Sequence, residues 1–289
     1  MPGRLSQHLH PAAALVRLAA PLALLAAGCH LSRDEREAAT IAERNAAARG
    51  GLAAWRKVRA LSISGRLEAG RPRDPARLAR SYLPSQARLE PGARRALARR
   101  GDPERQVQLP FAMELKRPRM SRVEVKFQGQ TAVQVFDGTR GFKLRPFLGR
   151  REVEPFTAEE LRVASQQSEL EGPLLDYEAQ GSRVRLVGTE PVDGRDAYKL
   201  AVTSRDGEVR HVWVDAKSYL DVKVEGSRRI DGKVRPVFTY LRDYRAVDGL
   251  LFPMALETTV EGAPGSEKLT VERVAVNPEL DDARFAKAD

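Results

Sequence analysis

The sequence predicts an α+β, mostly β fold: a curved antiparallel half-barrel of about ten strands, with helices over its concave apolar face. Three observations carry this. From residue 109 onward, apolar residues alternate with polar ones at period two. Asp-Gly pairs begin at 137, 193, 206, 231 and 248, each between alternating segments, and Asp-Gly suits the tight turns of hairpins because both positions tolerate positive φ. Only two stretches show a helical period, so two helices must cover a wide sheet that has one apolar and one charged face. That is a small cover. The expected interior is apolar and incompletely filled, as in curved sheets that enclose ligands.

The elements follow in order. Residues 38–55 read as a helix, with Ala38, Ile41, Ala42, Ala48, Leu52 and Trp55 near spacings of three and four, interrupted at Gly50-Gly51. Its stripe is mostly alanine, so it needs a sheet to dock on. Residues 58–67 form a first strand. Residues 68–108 are rich in Pro, Gly, Arg and Ala without sustained alternation and read as a basic, disordered insertion with a transient helix at 87–100. A meander follows: Phe111, Met113 and Leu115; then Val123, Val125 and Phe127; then 131–136 and 141–145. Thr157-Ala158-Glu159-Glu160 is a capping box and starts a helix over 158–169. A second meander runs from 184 to 276.

The N-terminus reads as a lipoprotein signal. Arg4 and Arg17 are basic, and the apolar stretch 18–27 is shorter than the roughly 20 residues a spanning helix needs. Ala26-Ala27-Gly28 precede Cys29, the single cysteine in 289 residues. On this reading 1–28 is a signal peptide, Cys29 is the lipidated first residue of the mature chain, and 29–37 is a tether before one domain at 38–289. The position three before Cys29 holds Ala26, with leucine one step further out at Leu25. The alternative is an ordinary secretory signal cut near Ala27 that leaves a free thiol, a liability in an oxidising compartment. His30, rather than Asp, follows the cysteine and points to the outer membrane. The expected location is the bacterial cell envelope, as an outer-membrane lipoprotein facing the periplasm.

The formal charge of +10 does not indicate nucleic acid. The signal carries +2 and residues 68–108 carry +5, leaving about +3 for the rest, with no basic motif interleaved with aromatics.

Ala48-Arg49-Gly50-Gly51-Leu52 with Trp55, then Leu61-Ser62-Ile63-Ser64-Gly65, resembles the opening of the outer-membrane lipoprotein-sorting family, the LolA/LolB-like carriers. Phe127-Gln128-Gly129-Gln130-Thr131-Ala132-Val133-Gln134 with Asp137-Gly138 and Gly141-Phe142 is similar to its central hairpins. Asp248-Gly249-Leu250-Leu251-Phe252-Pro253 and Val276-Asn277-Pro278 with Phe285 resemble its C-terminal part. The resemblance spans 38–67 and 109–289. It implies an antiparallel half-barrel closed by helices, with an apolar cavity for acyl chains. The insertion at 68–108 departs from the pattern, and a lipidated chain is like the family's fixed acceptor rather than its soluble shuttle.

Chemistry-bearing residues are sparse. His8, His10 and His30 lie at the N-terminus, and His211 is the single histidine of the body, on a strand with Val209 and Trp213. One histidine and no body cysteine make no zinc site, no phosphate loop or nucleophile elbow is present, and nothing requires a cofactor. Asp281-Asp282 and the turn aspartates are explained by surface and turn chemistry. The candidate ligand-contacting residues are therefore apolar: Phe111, Met113, Leu115, Val123, Val125, Phe127, Tyr198, Leu200, Trp213, Phe238 and Met254. The expected function is non-enzymatic binding of acyl chains of lipids or lipoproteins. The competing expectation is an envelope sensor or interaction module whose basic loop contacts a protein partner.

Overall fold

The computed structural model describes residues 31–69, 107–146, 149–230, 233–263 and 265–288. Cys29, the expected signal peptide at 1–28, and residues 70–106 of the expected insertion lie outside the described residues. Ser32–Asp289 is one compact unit, and Met1–Leu31 is another.

The sheet has thirteen antiparallel strands in one open series: β1 (Ala60–Ala69), β2 (Val107–Lys116), β3 (Met120–Phe127), β4 (Gln130–Phe136), β5 (Gly141–Arg145), β6 (Arg150–Pro155), β7 (Arg183–Val192), β8 (Arg195–Thr203), β9 (Val209–Asp215), β10 (Asp221–Ile230), β11 (Lys233–Val247), β12 (Leu250–Val260) and β13 (Ser266–Val276). The order is β6-β5-β4-β3-β2-β1-β13-β12-β11-β10-β9-β8-β7, so β6 and β7 are the two edges and the sheet is not closed. Thirteen strands replace the expected ten or so. β6 has no counterpart among the expected segments, because its Arg-Arg-Glu-Val-Glu-Pro sequence lacks an apolar alternation; a charged, Pro-ended strand suits an edge, where one side needs no ladder.

Of the five expected Asp-Gly turns, Asp193-Gly194 and Asp248-Gly249 have positive φ at both positions, as does Gln128-Gly129. Asp137-Gly138 and Asp206-Gly207 have it at the glycine alone, and Asp231-Gly232 lies outside the described residues. The strand ends define two ends of the sheet. The lower end carries the β3–β4, β8–β9, β10–β11 and β12–β13 turns, and the upper end carries the β4–β5, β7–β8, β9–β10 and β11–β12 turns. The first strand runs two residues beyond its expected end, and Glu68 and Ala69 pair with Gln108 and Val107.

Three helices accompany the sheet: α1 (Arg33–Ala48), α2 (Leu52–Trp55) and α3 (Ala158–Gln167). α1 starts five residues earlier than the alanine stripe suggests, which converts most of the expected tether into helix. The reason is a capping box: the Ser32 amide donates to Glu35 Oε2 at 2.7 Å and the Glu35 amide donates to Ser32 Oγ at 3.2 Å. α3 begins at the expected box, Thr157 with Glu160. A short 3-10 helix, Asp282–Phe285, ends the chain.

α1 lays Ala38, Ile41 and Ala42 on Val184, Leu200, Val202, Val212 and Val214 of β7–β9. α2 places Trp55 among Leu61, Leu115, Phe252 and Met254 at the sheet centre. α3 meets β4 and β5. The cross-strand register puts all these contacts on one face. The opposite face is covered at β4–β5 by the chain's end, where Ala288 packs on Val133 and Val135.

Candidate ligand-binding face

Each strand presents alternate residues to the helix side, so the register fixes that surface. Toward the upper end, Leu61, Leu115 and Leu250 lie in line and are sealed beneath Trp55, Leu170 and Leu175. One step lower lie Ile63, Met113 and Val123, then Phe111 with Val125, then Leu256, Leu269, Leu67, Leu109 and Phe127. Ile63, Met113, Val123, Val125, Phe127, Leu256 and Leu269 remain half-buried. A continuous apolar field thus crosses β12, β13, β1, β2 and β3, between α1 at one side and α3 at the other.

Polar groups border the field. Toward the lower end, Thr239 and Thr258 hydroxyls lie 3.0 Å apart, and Arg228 faces Glu267 at 3.4 Å. On the α3 side, Lys143 Nζ donates to both Glu160 oxygens at 2.5 Å, with both side chains almost fully buried. α3 also crosses to the far half of the sheet. Arg162 Nη1 donates to the two Glu208 oxygens at 3.0 and 2.9 Å, and Gln166 Nε2 donates to Glu208 Oε2 at 2.6 Å. Glu208 stands at the β8–β9 turn, so α3 ties β5 to that turn. Nearby, burial pushes the Glu169 carboxyl above the usual range, against the pull of Arg210 and Arg119.

The α1–α2 junction is pinned to the opposite side. Arg49 Nη1 donates to the Glu171 carbonyl at 2.9 Å and to Asp221 Oδ2 at 3.3 Å. Asn45 Nδ2 donates to the Tyr219 carbonyl and to Asp221 Oδ1 at 2.7 and 3.0 Å. The Trp55 indole donates to the Arg49 carbonyl at 3.0 Å, and the Arg49 guanidinium stands 4.7 Å from the centre of its ring. Tyr244 donates to the Asp221 carbonyl, and burial beside the Asp221 charge raises its hydroxyl pKa.

The eleven sequence-derived candidates divide into three groups. Phe111, Met113, Leu115, Val123, Val125, Phe127 and Met254 do converge on the central helix-side field, the first, third and last as its buried floor. Tyr198 and Leu200 share that face but lie under α1, where Leu200 is fully buried and Tyr198 stacks on Tyr219 with centroids 6.1 Å apart. Trp213 and Phe238 lie on the opposite face. Lys223 pairs across from Trp213, its amine 4.2 Å from that ring and 4.4 Å from Phe238's, and the indole donates to Glu190 at 2.5 Å. β9 reads Val-Trp-Val and β11 reads Val-Phe, apolar on both faces, so alternation there does not choose a side; Val212, Val214 and Val237 take the helix side instead. Sequence reasoning missed Ile63, Leu67, Leu109, Leu256 and Leu269, although their alternation in β1, β2, β12 and β13 was visible. His211 lies on the face opposite the field, beside Trp213, and Glu225 on the neighbouring strand makes a close contact with its Nδ1.

Among the described residues, no group of three His, Cys, Asp or Glu side chains is arranged to hold a metal, and no helix is long and apolar enough to cross a membrane.

An open antiparallel sheet with its helices on one apolar face defines the structural class, and solved structures share it. A LolA superfamily protein from Nitrosomonas europaea matches with a TM-score of 0.52 at 12% identity, covering 86% of this chain and 97% of that one. A DUF1329 family protein from Desulfovibrio piger matches with a TM-score of 0.51 at 12% identity, over 88% and 98% of the two chains. A domain assigned to outer membrane lipoprotein sorting, from Vibrio parahaemolyticus, matches with a TM-score of 0.50 at 12% identity, over 87% and 97%. No protein-family model and no curated protein matches the sequence. The chain therefore has the LolA-like fold that its motifs resemble.

Proposed function

We propose that this protein is a lipid-anchored, periplasm-facing component of a bacterial envelope that holds acyl chains of lipids or lipoproteins on the helix-side face of a half-barrel sheet. One observation carries the reading: Ile63, Met113, Val123, Val125, Phe127, Leu256 and Leu269 form a continuous apolar field that the helices leave half-buried. Completing the burial of such a surface needs an apolar guest rather than a catalytic group. Each methylene taken from water contributes about 0.8 kcal/mol, so about ten methylenes supply an upper bound near 8 kcal/mol, equivalent to a micromolar dissociation constant. The binding is non-covalent. The lipid on Cys29 would fix the protein at the outer membrane, which suits an acceptor or local chaperone better than a free shuttle.

The test is saturable uptake of a fluorescent fatty acid by delipidated protein, compared with Val125→Glu, which places a charge in the middle of the field. Loss of uptake in a folded variant supports the reading. Equal uptake by both proteins, or none by the parent, overturns it.

A further inference from the structure

We infer that the lower end of the sheet is a membrane-contact surface that rests on an anionic phospholipid bilayer, with the strands standing away from it; this rests on the lipid-anchored reading above. Four observations converge. The first is where the chain enters. α1 packs along β7, and Glu35 in its first turn feels the charges of Arg183 and Arg185, while Arg44 and Asn45 in its last turn bond Tyr219. Arg183 pairs with Thr203 beside the β8–β9 turn, whereas Tyr219 belongs to the β9–β10 turn. α1 therefore runs from the lower end to the upper, and Ser32 stands at the lower end. Cys29 is three residues before Ser32, a span of at most about 10 Å of extended chain.

The second observation is apolar exposure. Val209 and Val234 are 52% and 58% exposed, the highest values for large apolar side chains described in the Ser32–Asp289 unit. Each directly adjoins a lower-end turn, at the start of β9 and of β11. The third is charge. Lys126, Arg205 and Lys233 are exposed at the β3–β4, β8–β9 and β10–β11 turns. Of the acidic groups described at this end, Glu208 accepts from Arg162 and Gln166, Glu267 faces Arg228 and Glu68 accepts from Gln108, while Asp206 and Glu261 stay exposed. Cationic side chains beside short apolar ones match a surface of anionic headgroups over acyl chains. The fourth is the apolar field itself. Its lowest line, with Phe127 and Leu269 half-buried, lies toward this end, whereas its upper line is sealed beneath Trp55.

The body of the protein has no cysteine, so introduced cysteines report single positions once Cys29 carries its thioether. The experiment uses the full lipidated chain in vesicles of phosphatidylglycerol and phosphatidylethanolamine. An environment-sensitive dye is attached at Val209→Cys or Val234→Cys, and separately at the upper-end positions Thr139→Cys or Lys217→Cys, roughly 30 Å away along the strands. Nitroxide-labelled lipid should quench the two lower-end dyes and leave the upper-end dyes bright. Replacing Lys126, Arg205 and Lys233 together by Glu should weaken contact strongly, since each basic side chain at an anionic surface is worth about fivefold in affinity. Equal quenching at both ends, upper-end quenching, or no quenching at all overturns the inference. Dye incorporation into the parent chain would instead show a free Cys29 and refute the anchor. Vesicle binding lost in the triple Glu variant would then still support the surface, and absence of vesicle binding would overturn it. Fatty-acid uptake, read separately, tests the field and not the surface.

Discussion

The guanidinium of Arg49 and the carboxylate of Asp221 meet at 3.3 Å inside the protein, each side chain about one-tenth exposed. Arg49 ends α1 and Asp221 begins β10, so the pair locks the helix junction to the sheet. Removing one partner leaves the other charged and buried. Asp221→Ala should destabilise the protein by about 3–5 kcal/mol, the usual cost of breaking a buried pair from one side. Urea unfolding followed by tryptophan fluorescence checks this, because Trp55 lies against Arg49. A loss under about 1 kcal/mol would mean that the pair is solvated and that the lock lies elsewhere.

The same carboxylate gives a pH signature. Burial pushes Asp221 above its ordinary value, and Arg49 and the Asn45 amide pull it back only in part. A raised folded-state pKa contributes stability that is fully present below the unfolded value of about 3.9 and is lost as pH rises through the folded value. Asp221→Asn lacks this titration. The stability of the parent relative to Asp221→Asn should therefore fall as pH is raised from 4 to 7. Parallel stability curves for the two proteins across that range would show that Asp221 titrates normally.

Gly50 and Gly51 separate two kinds of glycine requirement. Both have positive φ, 110° and 94°. A Cβ on Gly50 would stand 2.4 Å from the Gly249 carbonyl oxygen, whereas one on Gly51 meets nothing within 4 Å. The close approach also carries the bond from the Leu251 amide to the Arg49 carbonyl, which stitches the helix junction to β12. Gly51→Ala should cost about 1–3 kcal/mol of backbone strain, and Gly50→Ala clearly more, because backbone must move. Paired denaturant titrations decide it; equal losses would remove the steric argument.

Much of this architecture is legible in the sequence because turn chemistry is local. Asp193-Gly194 and Asp248-Gly249 need no tertiary information to form a turn, and Thr157 with Glu160 needs none to start α3. Facing is not local where both sides of a strand are apolar. Val212-Trp213-Val214 can be laid either way up, and the choice is made by α1, which selects the two valines, and by Lys223, which covers the indole from the other side. The start of α1 was legible in Ser32 and Glu35 but is masked by a charged first turn with no apolar stripe. β6 carries no apolar periodicity at all; its place follows from pairing with β5.

The two faces can be told apart by function. Met113 and Leu256 belong to the helix-side field, and Phe238 to the other face. Met113→Trp or Leu256→Trp should fill the space that a guest would take and lower fatty-acid uptake at least about tenfold, an effect of about 1.4 kcal/mol. Phe238→Ala should reduce stability, by up to about 3 kcal/mol for a half-buried ring, with uptake unchanged in the folded fraction. Uptake titrations with matched unfolding curves make the comparison. An uptake loss in Phe238→Ala as large as that in Met113→Trp would place the guest elsewhere.

Arg162 and Glu208 link α3 to the β8–β9 turn across the apolar field. Both side chains are about one-third exposed, and pairs of that kind contribute about 0–1 kcal/mol to folding. The buried Lys143–Glu160 pair holds α3 to β5 without help from Glu208. Glu208→Ala should therefore leave global stability within about 1 kcal/mol of the parent. It should release the far side of α3, so that its amides exchange faster while those of β4 and β5 do not. If α3 has to yield for a guest to reach the field, fatty-acid association and dissociation should both accelerate, with little change in affinity. Stopped-flow uptake beside hydrogen exchange measures the two together. Faster exchange with unchanged ligand kinetics would assign entry to another side of the field, and unchanged exchange would show that the clasp does not hold the helix.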